Sequence, residues 1–208
     1  MDSLITETFT LFIDAQNFYN MARRAFFSPS DSSVFGQANP MALANLIGSR
    51  PPPGIRRVLH EVRIYTGRPD SAKEPKTHSA HMKQCDAWAR AGAKVITRPL
   101  RYLKDWPNSK AQQKGVDVAL AIDFVAFAVD HVHNASVLAS LDTDLIPALE
   151  FVHLRCGTTC RVEVVGFDSP QTRKNRLNIP GHSTWCYWIN KADFDSIADL
   201  TKYGGEES

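Results

Sequence analysis

The sequence predicts an α/β fold with a mostly parallel central sheet covered by helices on both faces. Strand and helix patterns alternate with short gaps, the signature of repeated βαβ units. The first strand is a short apolar run bounded by polar residues, Phe9-Thr10-Leu11-Phe12-Ile13, as in fully buried parallel strands. The chain has 208 residues, 43% apolar and 22% charged, ordinary for a globular protein with one sizeable core.

In order, the first strand ends in Asp14, and Asn17 is placed to cap a helix from Phe18 to about Arg24. An irregular stretch rich in Ser, Pro, Asn and Gly follows from Phe27 to Pro40. Met41 to Ile47 is a short helix closed by Gly48 and Pro51-Pro52-Pro53-Gly54, so 27–54 reads as an irregular insertion. Val58 to Tyr65 is a second strand whose alternation implies a polar face or a position near an edge. A helix is expected from Lys73 to Ala91 with Gly92 as its stop, then a third strand at Ala93 to Thr97 and a basic loop. Val116 to about Val129 is an almost wholly apolar helix, too apolar to expose a wide face. Ala135 to Ser140 is a fourth strand, followed by a helix to about Leu154, and Cys160 to Phe167 is a fifth strand. The last forty residues hold a short strand at Trp185 to Ile189 and a helix near Ala192 to Leu200. The organisation expected is an N-terminal extension at 1–7, one domain over 8–200, and a frayed tail at 201–208.

Composition excludes several classes. No run approaches the roughly 18 apolar residues of a membrane span, and the acidic start is unlike a signal peptide, so no membrane association and a cytoplasmic location are expected. The four cysteines are expected reduced, and Cys156 with Cys160 makes half a zinc site that no second pair completes. Lys plus Arg number 24 and Asp plus Glu 22, a net charge of +2 that does not by itself announce nucleic acid. The cations cluster, however, at Arg98, Arg101, Lys104, Lys110 and Lys114, and again at Arg173, Lys174 and Arg176.

Four carboxylates share one grammar. Asp14 follows the first strand, Asp142 and Asp144 follow the fourth, and Asp117 opens the apolar helix before it. Capping is the structural alternative for Asp117 and Asp144, worth about 1 kcal/mol each. Pro147 belongs in a first helical turn, which starts that helix near Leu145, makes Asp144 the cap and leaves Asp142 with no capping duty. Carboxylates gathered at the carboxyl edge of a sheet repel one another unless a cation sits among them. Oxygen-only donors suit Mg²⁺ or Mn²⁺ rather than zinc.

Asp14-Ala15-Gln16-Asn17, Lys114-Gly115-Val116-Asp117 and Ser140-Leu141-Asp142-Thr143-Asp144, in that order, resemble the NYN domain of the PIN-like nuclease superfamily. The resemblance runs from about Thr8 to Phe167 and implies a Rossmann-like three-layer αβα fold with metal-dependent cleavage of RNA. It carries Asp14, Asp117, Asp142 and Asp144 over as catalytic and metal-holding positions, with Asn17 as a polar partner. Ala15 and Leu141 stand where the family usually has Gly, and Thr143 where it has Ser. Leu141 could crowd the turn that presents Asp142, which leaves a binding module without turnover as the rival reading.

Substrate contacts are expected at Asn17, Lys114, Thr143, Arg98 and Arg101. The Arg98–Lys114 loop, with Tyr102 and Trp106, has the composition of a single-stranded RNA track; a solvated loop with two anchoring aromatics is the equal alternative. His78 and His81 read as lying mid-helix away from strand ends, and His131 and His133 as a helix-terminal pair favouring the cationic form. Asp123 and Asp130 are assigned to the exposed stripe of the apolar helix.

Overall fold

The computed structural model describes residues 4–204, so residues 1–3 of the expected extension and 205–208 of the expected tail lie outside the described residues. The elements are β1 (Ile5–Asp14), α1 (Ala15–Phe26), α2 (Pro40–Gly48), β2 (Ile55–Arg68), α3 (Pro75–Arg90), β3 (Lys94–Pro99), α4 (Val116–Val129), β4 (Ala135–Ala139), α5 (Ile146–Cys156), β5 (Arg161–Ser169), β6 (Arg173–Asn175), β7 (Trp185–Ile189) and α6 (Lys191–Ile197). A single 3₁₀ turn, Thr143–Leu145, leads into α5. The sheet runs β3-β2-β1-β4-β5 in parallel, with β7 parallel on the outer side of β5.

Strand alternation divides the interior in two, because successive side chains of a strand point to opposite faces. Phe9, Leu11 and Ile13 of β1 pack with Phe18, Leu43, Trp88 and Phe194 from α1, α2, α3 and α6. Phe12 packs on the other face with Phe124 of α4 and Leu149 and Val152 of α5. The result is the three-layer αβα sandwich.

β6 was not anticipated. Phe167 of β5 pairs with Asn175 of β6 and with Ile189 of β7, so those two strands flank β5 on opposite sides. β4 pairs with β5 only as far as Leu138↔Val164, opposite β7, so β6 runs antiparallel in the lane that β4 vacates. Arg173 and Lys174 are thereby brought level with the turn after β4.

Three expectations about polar and apolar faces need correcting. α4 does expose apolar side chains: Val118 is 55% and Ile122 60% exposed, joined by Phe151 and Leu154 of α5. Packing of α4 onto the sheet and α5 buries Val116, Ala119, Leu120, Phe124 and Ala128, with Ala121, Val125 and Phe127 half-buried beside them. Asp123 is not simply solvated; it accepts from Arg63 (2.7 Å) and from the Tyr65 hydroxyl (2.8 Å). His133 is buried between Thr10 Oγ1 (2.8 Å) and Ser136 Oγ (2.6 Å), and burial lowers its pKa to about 4, so it is neutral rather than a cationic helix end.

The polar alternation of β2 has a structural cause. Its first half has β1 on one side and, among the described residues, no strand on the other, since β3 joins only from Arg63 onward. Arg57 in that half is buried between Glu7 and Glu163, and the Tyr187 hydroxyl donates to Glu163. Burial pushes Glu163 up, while the Arg57 charge opposes it. No helix among the described residues is long and apolar enough to cross a membrane.

Candidate active site

In the strand order β3-β2-β1-β4-β5 the chain first builds leftward from β1 and then crosses back to β4. The crevice between the carboxyl ends of β1 and β4 is therefore the topological switch point, where open α/β sheets bind ligands. Asp14 ends β1, and the turn Ser140-Leu141-Asp142 leaves β4 beside it.

Both turns are fixed by side chains that start helices. Asp14 Oδ1 accepts the Asn17 N–H (3.0 Å), so Asp14 caps α1 and the helix begins at Ala15. Asn17 is accordingly not a cap. Its Oδ1 accepts the Leu141 N–H (2.8 Å) and ties the first turn of α1 to the β4 turn. Asp142 Oδ1 accepts the Asp144 N–H (3.0 Å) and caps the 3₁₀ turn, while Ser140 Oγ accepts the Asp142 N–H (3.1 Å). The capping roles expected for Asp142 and Asp144 are thus exchanged, because the 3₁₀ turn starts the helical run ahead of Pro147. Nor is Asp117 a cap. Gly115, at φ +75°, holds the cap position of α4, and Asp117 lies in the first turn.

Asp14 is 6% exposed. Burial pushes its carboxyl up to about 6; the backbone N–H groups of Asn17 and Gln16 oppose the rise, and the charges of Asp142 and Asp117 add to it. Among the described residues none of Asp14, Asp117, Asp142 and Asp144 takes part in an ion pair. Asp144 is exposed and shares with Asp117 the mouth of an apolar groove of about 630 Å³ between α4 and α5. The structure brings three carboxylates within electrostatic reach and sets the fourth at the rim. Among the described residues no three His, Cys, Asp or Glu form a closed metal-binding group. The donor chemistry still fits a hydrated Mg²⁺ or Mn²⁺, which needs only one or two direct carboxylates and keeps several waters. A buried, cation-free carboxylate facing two others is short of positive charge.

The family model for the NYN domain matches residues 8–179. The chain belongs to the NYN domain family. Members are generally nucleases of PIN-like character, typically use divalent metals, and act in general on RNA. No curated protein matches the chain. Among solved structures, a protein of unknown function from Vibrio parahaemolyticus RIMD 2210633 is similar at 18% identity, over 90% of this chain and 95% of that one, with a TM-score of 0.54. That likeness concerns the fold alone.

Around the carboxylates of this NYN domain, Lys114 and Thr143 are exposed. Arg98 and Arg101 are exposed at and just beyond the end of β3. Tyr102 and Trp106 meet edge to face at 4.8 Å, the Tyr102 hydroxyl donates to Glu74 and accepts the Asp70 N–H (2.9 Å), and the Lys73 ammonium lies 4.5 Å from its ring. Those aromatics anchor the loop rather than standing free for bases. Leu141 and Ala15, both half-buried, pack against the α1-side core.

A cleft of about 790 Å³ also opens beside the crevice, lined by Ile13, Ala15 and Gln16 from the chain around Asp14. His81 lines it, contrary to its expected placement away from strand ends, and burial lowers this imidazole to about 4. Gln37, Gln84, Trp88 and Gln113 join it from distant parts of the sequence, and no motif marks them.

Proposed function

We propose that this NYN domain is a cytoplasmic Mg²⁺- or Mn²⁺-dependent ribonuclease that hydrolyses phosphodiester bonds of single-stranded RNA at the β1–β4 crevice. The observation that carries this reading is Asp14, buried without a cationic partner and facing Asp142 and Asp117 at the switch point. Asp14, Asp142 and Asp117 would hold the ion, with Asp144 supporting it from the rim through water. When bound, such an ion supplies Lewis acidity toward the phosphodiester and a water of lowered pKa.

The chain's own residues do the positioning. Asn17 holds the Asp142 turn against the Asp14 turn through its bond to Leu141 N–H. α1, α4 and the 3₁₀ turn open near the crevice; Asp14 and Asp142 occupy N–H groups of two of them, and α4, which has no side-chain cap, keeps N–H groups that favour a phosphate. Lys114 and Thr143 stand exposed on two of those turns, and Arg173 and Lys174 flank the third side along β6. Arg98 and Arg101 serve strand binding farther from the chemistry. Hydrolysis by water requires no covalent intermediate on the protein.

Purified protein is expected to cleave single-stranded RNA in Mn²⁺ or Mg²⁺ and to stop in EDTA. Asp142→Asn is expected to lower the rate by about two orders of magnitude or more, the scale of losing one electrostatic catalytic group. A variant that cleaves as fast as the parent would place the activity elsewhere.

A further inference from the structure

The cleft beside Asp14 differs chemically from the crevice. Among the described residues its one charged lining residue is Lys110, and its one imidazole, His81, is lowered by burial to about 4 and so is neutral at pH 7. A phosphate or a divalent ion would find almost no ionic partner inside. A purely apolar guest fits no better, since four glutamine carboxamides line the space and would be desolvated without partners.

The polar groups also form a pattern. Gln84 Nε2 donates to Gln37 Oε1 (2.7 Å), which leaves the Gln84 carbonyl as an acceptor and the Gln37 amide as a donor, side by side. Trp88 lines the same cleft, and its indole N–H is buried with no hydrogen-bond partner among the described residues. A missing partner for a buried donor has a cost that a ligand carbonyl or ring nitrogen would remove. Side-by-side donors and acceptors between aromatic walls are how proteins hold an unstacked base.

We propose that this cleft is a nucleobase pocket that takes one unpaired base of the RNA strand. Gln37 and Gln84 read its hydrogen-bonding edge, and Trp88 donates to an acceptor on it. Ile13, Ala15 and Gln16 connect the pocket to Asp14, so a base seated there directs its own sugar and phosphate toward the carboxylates. The pocket rests on the ribonuclease reading for its substrate class, and it adds a choice of base at the cleavage site.

The pocket is tested without cleavage. Saturation-transfer NMR on the full chain in EDTA, with equimolar adenosine, guanosine, cytidine and uridine, is expected to show one nucleoside favoured by about tenfold, the discrimination of a good two-bond contact. Gln84→Leu is expected to abolish that preference. Should Gln84→Leu fail to fold by circular dichroism, Gln84→Glu removes the amide donor with little change of shape and is expected to do the same. Equal signals for all four nucleosides, or a preference that survives the variant, overturns the pocket. The ribonuclease reading fails separately, by absence of metal-dependent cleavage of RNA. Mapped cuts in a mixed-sequence RNA then give a second readout: a base bias in the parent that falls to near unity in Gln84→Leu supports the pocket, and a bias unchanged by the variant refutes it.

Discussion

Replacing Asp14 by Asn separates a strained site carboxylate from an ordinary helix cap. With no metal bound, burial pushes the Asp14 carboxyl up to about 6 in the folded protein, against 3.8 for an unperturbed carboxyl. Between those values the folded state holds a proton that the unfolded state has released, so Asp14 makes stability fall as pH rises from about 4 to about 6. The cost is about 1.4 kcal/mol per pH unit across that window, about 3 kcal/mol in all. Asn keeps an oxygen for the Asn17 N–H and carries no charge. Asp14→Asn is therefore expected to match the parent near pH 4 and to exceed it by about 3 kcal/mol at pH 7, or about 6–12 °C in Tm for a chain of this size. Urea denaturation followed by tryptophan fluorescence at pH 4, 5, 6 and 7 in EDTA measures the difference. Mn²⁺ should raise the Tm of the parent far more than that of the variant, because a ligand stabilises only the state that binds it. A variant less stable than the parent at pH 7, or a difference that ignores pH, would show that the N-terminus of α1 already neutralises this carboxylate and would refute the reasoning.

Arg57→Leu is expected to cost about 3–5 kcal/mol in urea denaturation, since Glu7 and Glu163 would be left buried without their cation, while the Tm rise given by Mn²⁺ persists. Asn17→Ala is expected to cost about 1 kcal/mol and to slow single-turnover cleavage by roughly tenfold to a hundredfold at unchanged RNA affinity, as a loosened Asp142 turn would. Arg173→Ala with Lys174→Ala is expected to flatten the slope of log affinity against log salt by about 1.4, from about 0.7 per phosphate contact on a single strand. An unaltered slope would return the RNA track to Arg98, Arg101 and Lys104.

What is local in this protein can be read from its sequence. The apolar run of α4 has the bounds expected from its composition, Val116 to Val129, and β7 spans Trp185–Ile189 as its pattern implies. Three acidic turns at strand and helix ends announce the family, because each motif is a contiguous stretch whose chemistry does not depend on the rest of the chain. Which aspartate caps which helix was decided only in three dimensions. A 3₁₀ turn before Pro147 moved the cap to Asp142, and the bond from Leu141 turned Asn17 into a tie between two strands. The lane occupied by β6 depends on where β4 stops pairing, which no periodicity records. The cleft is tertiary throughout. Gln16, Gln37, Gln84, Trp88 and Gln113 are scattered over about half the chain and meet only because α1, α3 and the loops around them fold over the same end of the sheet. Hydrophobic periodicity sets which segments are buried, but a polar pocket is made by residues of no shared pattern, brought together by the packing of the segments that carry them.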